Sequence, residues 1–419
     1  MRVAVACYYS PPQPAIASHR VLRLTRALLE AGHQVHWVTA DARRFPAEAL
    51  DPTLDALVPA EVTVHGIAGQ ALITKPAAAN AFEKVLRTLA WHVPRRLPFP
   101  DSFVWWSWAL RRRLPQIVAR ERIDAVVVCC SPHSQILALP RLRARAPGVR
   151  IFVDYRDLLS GNPWNTRGSP RSARRLLELE RRNLRHAAAL FVNTERARSQ
   201  FLQVVGSIPD LPVEVMRNAA DYRLADAVSQ RPPPALGAGV HLGFFGTLFP
   251  RRRLRPVLEG LAQLLPEQLA RLTLHVYCDP LDSARLLAED LSAVAPGVAA
   301  RVQRHAYQPY ADALRAMQAM DALVLVNGPD ASDAVFVPGK LFDYLMARRP
   351  VIFVGYPGEA SAMISGSSGA EWVFPHGDVE ALAARLRACV ADRPGDLEPV
   401  ALHRPETAFA PLLSRLAGG

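Results

Sequence analysis

The chain has 419 residues, half of them hydrophobic and 21% charged, with a formal net charge of +12 and a pI near 10.0. That length is too great for one ordinary core and suits two domains of about 150 to 200 residues each. Five cysteines without CxxC or Cys/His ligand spacing indicate neither a disulfide framework nor a zinc site, and no apolar run approaches the roughly 18 residues of a spanning helix.

With no signal-like opening segment, the expectation is a soluble chain in a reducing cytoplasm. Its positive balance predicts an anionic partner: nucleic acid, a phospholipid surface or a phosphorylated small molecule. From the amino terminus, apolar runs at 3–9, 34–40, 62–67, 124–130, 150–155 and 189–194 read as strands, most of them continuous as in a sheet covered on both faces. A helix is expected over about 18–31, with Ser18 as its N-cap and Gly32 as its C′ stop. Arg-rich helical segments such as 171–185 read as solvated faces.

The stretch 227–239, AVSQRPPPALGAG, breaks the periodicity with three prolines and two glycines and reads as a linker. Strands then resume at 241–247, 272–278, 300–307, 322–327, 350–355 and 372–375, and an amphipathic helix after about Arg404 is expected to return to the first domain. The fold class expected is α/β, with two Rossmann-like doubly wound domains over 1–226 and 240–400 and a carboxy-terminal helix within 401–419.

The sequence lacks GxGxxG, Walker A, HExxH and GxSxG signatures, and the nearest approach to a metal-binding DxD pair, Asp279 and Asp282, is one residue too wide. Metal-dependent transfer is therefore not expected. Ligands of open parallel sheets sit beyond the carboxyl ends of the strands, which directs attention to the loops there. Gly339 and Lys340 stand at a helix start after the strand at 322–327, and Lys340 is one of three lysines in a chain that otherwise uses arginine. A helix start with an ammonium suits phosphate, and Asp343, one turn on, suits sugar or ribose hydroxyls. The alternative is a solvated Lys340, with Asp343 complementing the helix dipole.

A second basic loop, Arg251, Arg252 and Arg253, follows the strand ending near Gly246 and Thr247; one or two of its guanidinium groups facing Lys340 would neutralise a diphosphate. In the first domain the turn-rich loop from Tyr9 to Arg20 offers the small residues Ala15 and Ser18, while His133, Arg156 and Asp157 leave adjacent strands toward one rim. Ser131 or His133 can equally be a helix start.

YYSPP followed by ASHR, DYRDLLSGNPW, FFGTL and above all VPGKLFDYLMARRPVIFVG resemble, over essentially the whole chain, the family-four retaining glycosyltransferases of GT-B fold that build bacterial polysaccharides. The resemblance implies two domains facing across a cleft, no metal and no cofactor, a nucleotide-diphosphate sugar donor held by the second domain, and a glycan or lipid-linked acceptor held by the first. Localisation would be cytoplasmic, with peripheral contact at the inner membrane face for a lipid-linked acceptor; nucleic acid is not an expected partner.

Carried over by position, Arg251 or Arg252 and Lys340 bind the diphosphate, and Asp343 takes the ribose-binding place. The donor side comprises Gly246, Thr247, Gly339, Lys340, Leu341 and Asp343. Catalytic residues would be Lys340, Arg251, Arg252, His133 and Asp157, with Ala15, Ser18, Arg20, Arg156 and Asp333 toward the acceptor or sugar. Two departures stand out: Gln13-Pro14-Ala15 replaces the usual glycine pair, and Val335 occupies the place of a sugar-binding glutamate, for which Asp333 is a stand-in. A non-catalytic nucleotide-sugar binder and, less favoured, a sugar-nucleotide epimerase are the other readings. Trp105, Trp106 and Trp108 beside Arg111 to Arg113 either reach a membrane interface or pack on the first domain's core, and the second reading is preferred because the segment resembles a common family element.

Overall fold

Long β-rich apolar runs bury on both faces only when helices cover the sheet from either side, and this chain builds two such sheets. The computed structural model describes residues 1–68, 101, 103–162 and 170–418. It divides into unit 1, Met1–Ala219 with Pro405–Gly419, and unit 2, Ala220–Arg404.

Among the described residues unit 1 has seven parallel strands: β1 (Arg2–Cys7), β2 (Gln34–Ala40), β3 (Thr63–Ile67), β4 (Ala125–Cys130), β5 (Arg150–Tyr155), β6 (Ala189–Val192) and β7 (Val213–Val215). Their order is β3-β2-β1-β4-β5-β6-β7, so the winding reverses between β1 and β4. The edge strand β7 is absent from the expected set because it is three half-buried residues, VEV, too short to show a period.

The first helix runs Ile16–Glu30, with Ala15 in the extended N-cap position and Ser18 inside the first turn rather than capping it. Its end is the expected one. Gly32 takes a φ of +79°, its N–H donates to Leu29 O, and the His33 N–H donates to Leu28 O, which closes a Schellman motif. The same helix buries Arg20, whose Nε and Nη2 each donate to the Asp154 carboxylate at 2.8 Å and whose Nη1 and Nη2 reach the carbonyls of Arg217 and Met216 at 3.0 Å. The guanidinium also lies 5.3 Å from the ring centroid of Phe409, so the carboxy-terminal segment packs on the core of unit 1.

Unit 2 repeats the plan with β8 (Val240–Phe245), β9 (Leu272–Tyr277), β10 (Val302–His305), β11 (Ala322–Val326), β12 (Val351–Val354) and β13 (Val373–Phe374), ordered β10-β9-β8-β11-β12-β13. The Pro/Gly-rich stretch lies inside this unit. The helix Tyr222–Val228 is tied to it by Arg348 on Asp226 at 2.8 Å and by Gln318 Nε2 donating to Ser229 Oγ at 2.7 Å, so the division falls at Ala219–Ala220 instead of 227–239.

Three histidines cross β8, β9 and β10 in a line. His241 Nε2 donates to Gly237 O at 2.9 Å, which leaves Nδ1 to accept from His275 Nε2 at 3.0 Å; His275 Nδ1 in turn accepts from His305 Nε2 at 2.9 Å. Both ring nitrogens of His275 are engaged, so an extra proton there disrupts the line. Burial, then the neighbouring His305 and His241, push its pKa down to about 4.

Two stability predictions follow from these buried groups. Arg20→Ala strands the Asp154 carboxylate and should cost about 3–5 kcal/mol in urea unfolding; an unchanged midpoint would show that the pair contributes nothing. For His275 the folded state binds the proton more weakly than the unfolded chain, so stability is complete above pH 6.5 and is lost as pH falls toward 4, by about 3 kcal/mol. His275→Gln, which cannot titrate, should flatten that slope in unfolding measured from pH 7 to pH 4.

Candidate donor site at the switch point of unit 2

Strand order in unit 2 reverses between β8 and β11, and at such a switch point the loops leaving the two strands part and open a crevice for a ligand. The residues read from the sequence as donor-binding leave those two strands.

β8 ends at Phe245, and Gly246 follows with a φ of +114°, a conformation that side-chain-bearing residues rarely adopt. A Cβ at Gly246 would lie 3.7 Å from Lys340 Cδ and 4.0 Å from Nζ, so the lysine lies along the glycine. Its ammonium rests 3.9 Å from the ring centroid of Phe244. One turn on in the helix Lys340–Met346, the Tyr344 hydroxyl accepts from the Phe245 N–H at 2.9 Å and lies 3.2 Å from Val324 O, pinning the helix to the ends of β8 and β11.

Lys340 is half-buried, and among the described residues its ammonium has neither hydrogen bond nor ion pair. Loss of hydration, reinforced by the Arg252 guanidinium, pushes its pKa down to about 7. An ammonium held among a ring, a glycine and another cation is unstable as charge and becomes favourable once an anion arrives.

The neighbouring arginines are differently placed. Arg251 pairs with Asp330 and, at 3.0 Å, with Asp333, while Arg252 lies 3.6 Å from the other Asp333 oxygen and 5.6 Å from the Phe336 ring centroid. Arg253 turns away to Asp290 and Glu289. The triplet lies in a loop and does not open a helix; Phe249 and Arg252 bridge across a tight turn, and the next helix starts at Arg255. Arg251 and Arg252 therefore meet an incoming anion already balanced by carboxylates.

Asp333, the expected stand-in for the missing glutamate, is fully buried beneath those arginines. A Cβ at Gly328 would fall 1.9 Å from its Oδ2, so the carboxylate occupies the space a side chain at 328 would need. It holds the loop and is enclosed away from a sugar. Asp343 is buried too, accepting from Tyr310 Oη at 3.0 Å. Thr247 is exposed beside Gly246, Gly339 is half-buried at the N-cap position, and Leu341 is core, its N–H donating to Pro338 O at 3.0 Å. The sequence reading missed Asp330, Tyr310 and Tyr344, whose partners lie far away along the chain, and Gly328, whose neighbour Asp333 comes back over it only when the loop folds.

In unit 1, His133 is buried after β4 and donates from Nε2 to the carbonyl of Asp157 at 2.7 Å, with its ring 5.1 Å from Tyr155. Burial lowers its pKa, so it sits as a neutral imidazole with Nδ1 as acceptor. The Asp157 side chain is exposed and Arg156 half-buried on the same loop. Ala15 is half-buried at the entry to its helix; Ser18 is enclosed. Arg20, expected on the acceptor side, is instead 1% exposed, with four of its five N–H groups taken by Asp154 and backbone carbonyls, so it is a core residue enclosed away from a ligand.

Residues 17–219 match the family model of a glycosyl transferase 4-like domain. No curated protein matches the chain. Among solved structures it is similar to HepE of Anabaena in complex with UDP, at 14% identity and a TM-score of 0.58 over 99% of this chain and 94% of that one. Sucrose-phosphate synthase of Thermosynechococcus elongatus gives 16% and 0.60 over 99% and 97%, and the E. coli trehalose-6-phosphate protein bound with UDP-2-fluoro glucose gives 13% and 0.60 over 100% and 95%. At these identities the likeness is one of fold: two Rossmann-like parallel-sheet units in one chain, the GT-B class.

Gly328→Ala should expel Asp333 from its slot and leave Arg251 and Arg252 without their shared carboxylate. The expected result is a loss of about 2–4 kcal/mol in thermal unfolding, whereas an unaltered melting temperature would contradict the packing described.

Proposed function

We propose that the chain is a metal-independent retaining glycosyltransferase that moves a sugar from a nucleotide-diphosphate donor, bound by unit 2, to a glycan or lipid-linked acceptor. The observation that carries this reading is the Lys340 ammonium, poised beside Gly246 at the switch point with no carboxylate partner among the described residues. The family match over residues 17–219 and structural neighbours solved with UDP or a UDP-sugar support it.

Cleavage of the bond between the anomeric carbon and the diphosphate oxygen leaves negative charge on that oxygen and positive charge on the sugar ring. Lys340 stabilises the former, a preorganised contact typically worth about 3–4 kcal/mol in the transition state. Arg251 and Arg252 add positive potential, tempered by Asp330 and Asp333. The acceptor hydroxyl attacks from the face the diphosphate leaves, and its proton passes to the departing oxygen, which gives retention without a carboxylate nucleophile. His133, as a neutral base, and the Arg156–Asp157 loop are the acceptor-side groups proposed in unit 1.

A second reading rests on Val335 and on the enclosure of Asp333: without a carboxylate for the sugar, the site would bind a nucleotide sugar without transferring it. Nucleotide affinity with no product from any acceptor would select that reading.

Lys340→Met should raise the melting temperature of the ligand-free protein, since a poorly hydrated cation is removed, while lowering turnover more than about tenfold and abolishing stabilisation by UDP. Affinity for the diphosphate should weaken as pH rises above 7, because binding then requires proton uptake on Lys340. Calorimetry across pH 6 to 9 reads this directly, and a pH-independent affinity equal in Lys340→Met would contradict the assignment.

A further inference from the structure

The charge of the chain is confined to one unit. Unit 1 carries 32 Arg and Lys against 18 Asp and Glu, a formal +14; unit 2 carries 18 against 20, a formal −2. The donor site described above therefore does not account for the basic character of the protein.

Much of the excess lies on two helices of unit 1. The helix Pro170–Leu184 exposes Arg171, Arg174, Arg175, Arg181 and Arg182, which at 100° per residue share an arc of roughly 120°. Glu178 is the one acidic residue in that arc, and Arg185 extends it just past the helix end. The helix Val104–Glu121 exposes Trp105 (54%) and Trp108 (47%), with ring centroids 5.5 Å apart, while Trp106 is fully buried. The preference for core packing of this cluster thus holds for Trp106 alone. Arg112, one further turn along the tryptophan face, is exposed between Arg111 and Arg113.

Both helices pack on the segment His133–Arg145, which lies between them on one side of the sheet. This follows from right-handed crossovers that step the same way along the order of β3, β4, β5 and β6. One side of unit 1 therefore presents two exposed indoles and a bank of guanidinium groups together.

We propose that this side of unit 1 docks on an anionic phospholipid bilayer, the indoles entering the headgroup zone and the arginines meeting lipid phosphates. Indole is at home at a water–hydrocarbon boundary, and exposed cations concentrate at a negative surface. A single-stranded nucleic acid would also attract the arginines, but binders of that kind pair their aromatic platforms with a groove, and here the residues lie on the outer faces of packed helices. Docking does not depend on the donor reading, because vesicle binding is measured without any sugar transfer.

The test is flotation of the full chain with vesicles of phosphatidylcholine alone and of phosphatidylcholine mixed with phosphatidylglycerol, at low and high salt. Binding should require the anionic lipid, fall with salt, and shift tryptophan fluorescence to the blue. Arg174→Glu, Arg175→Glu and Arg182→Glu combined should weaken it by at least about tenfold. Trp105→Ala with Trp108→Ala should remove the blue shift, and these exposed positions leave the melting temperature unchanged. Lys340→Met should bind vesicles as the parent does. Absence of binding to the anionic vesicles, binding indifferent to both sets of substitutions, or binding to single-stranded RNA in place of vesicles would each overturn the proposal.

Discussion

A cation with no counter-charge is the constraint around which unit 2 is arranged. Water stabilises an ammonium strongly, and the half-buried Lys340 has exchanged part of that hydration for an aromatic face, a glycine backbone and a repelling arginine. Such a group persists in a folded protein only if the surroundings hold it firmly. Tyr344 does so by fixing the helix to the ends of β8 and β11, and Gly246 does so by its left-handed backbone, which leaves the lysine stem its space. The result is a site whose charge is incomplete until an anion binds.

Arginine is used differently. Arg20 is a core residue whose planar fork matches Asp154 with two hydrogen bonds, and Arg251 and Arg252 are neutralised by Asp330 and Asp333. Only lysine, a compact cation whose pKa moves readily with burial, suits a position where charge is to appear on demand. That is a physical reason for one lysine at position 340 in a chain that writes nearly every other cation as arginine.

The sheets were legible because their strands are continuous apolar runs, and Gly32 was legible as a helix stop because its role is local. Ser18 was misread as a cap because Ala15, with no polar side chain, takes the extended N-cap conformation. The arginine turn was legible as a basic loop, yet its balancing carboxylates lie about eighty positions along the chain and meet it only through the adjacency of β8 and β11. Proline and glycine content suggested a linker at 227–239, but side-chain ties from Asp226 and Ser229 bind that region to unit 2. The exposure of Trp105 and Trp108 had a signal in their i, i+3 spacing, which sets them on a face apart from Trp106.

The most direct measurement is lysine-selective NMR of the ε-carbon and ζ-nitrogen, made simple because the chain has only Lys75, Lys84 and Lys340. One resonance, lost in Lys340→Met, should titrate near pH 7 in the ligand-free protein and move to a higher pKa on addition of UDP. Three lysines that all titrate in the usual range near 10.4 and ignore UDP would contradict the account.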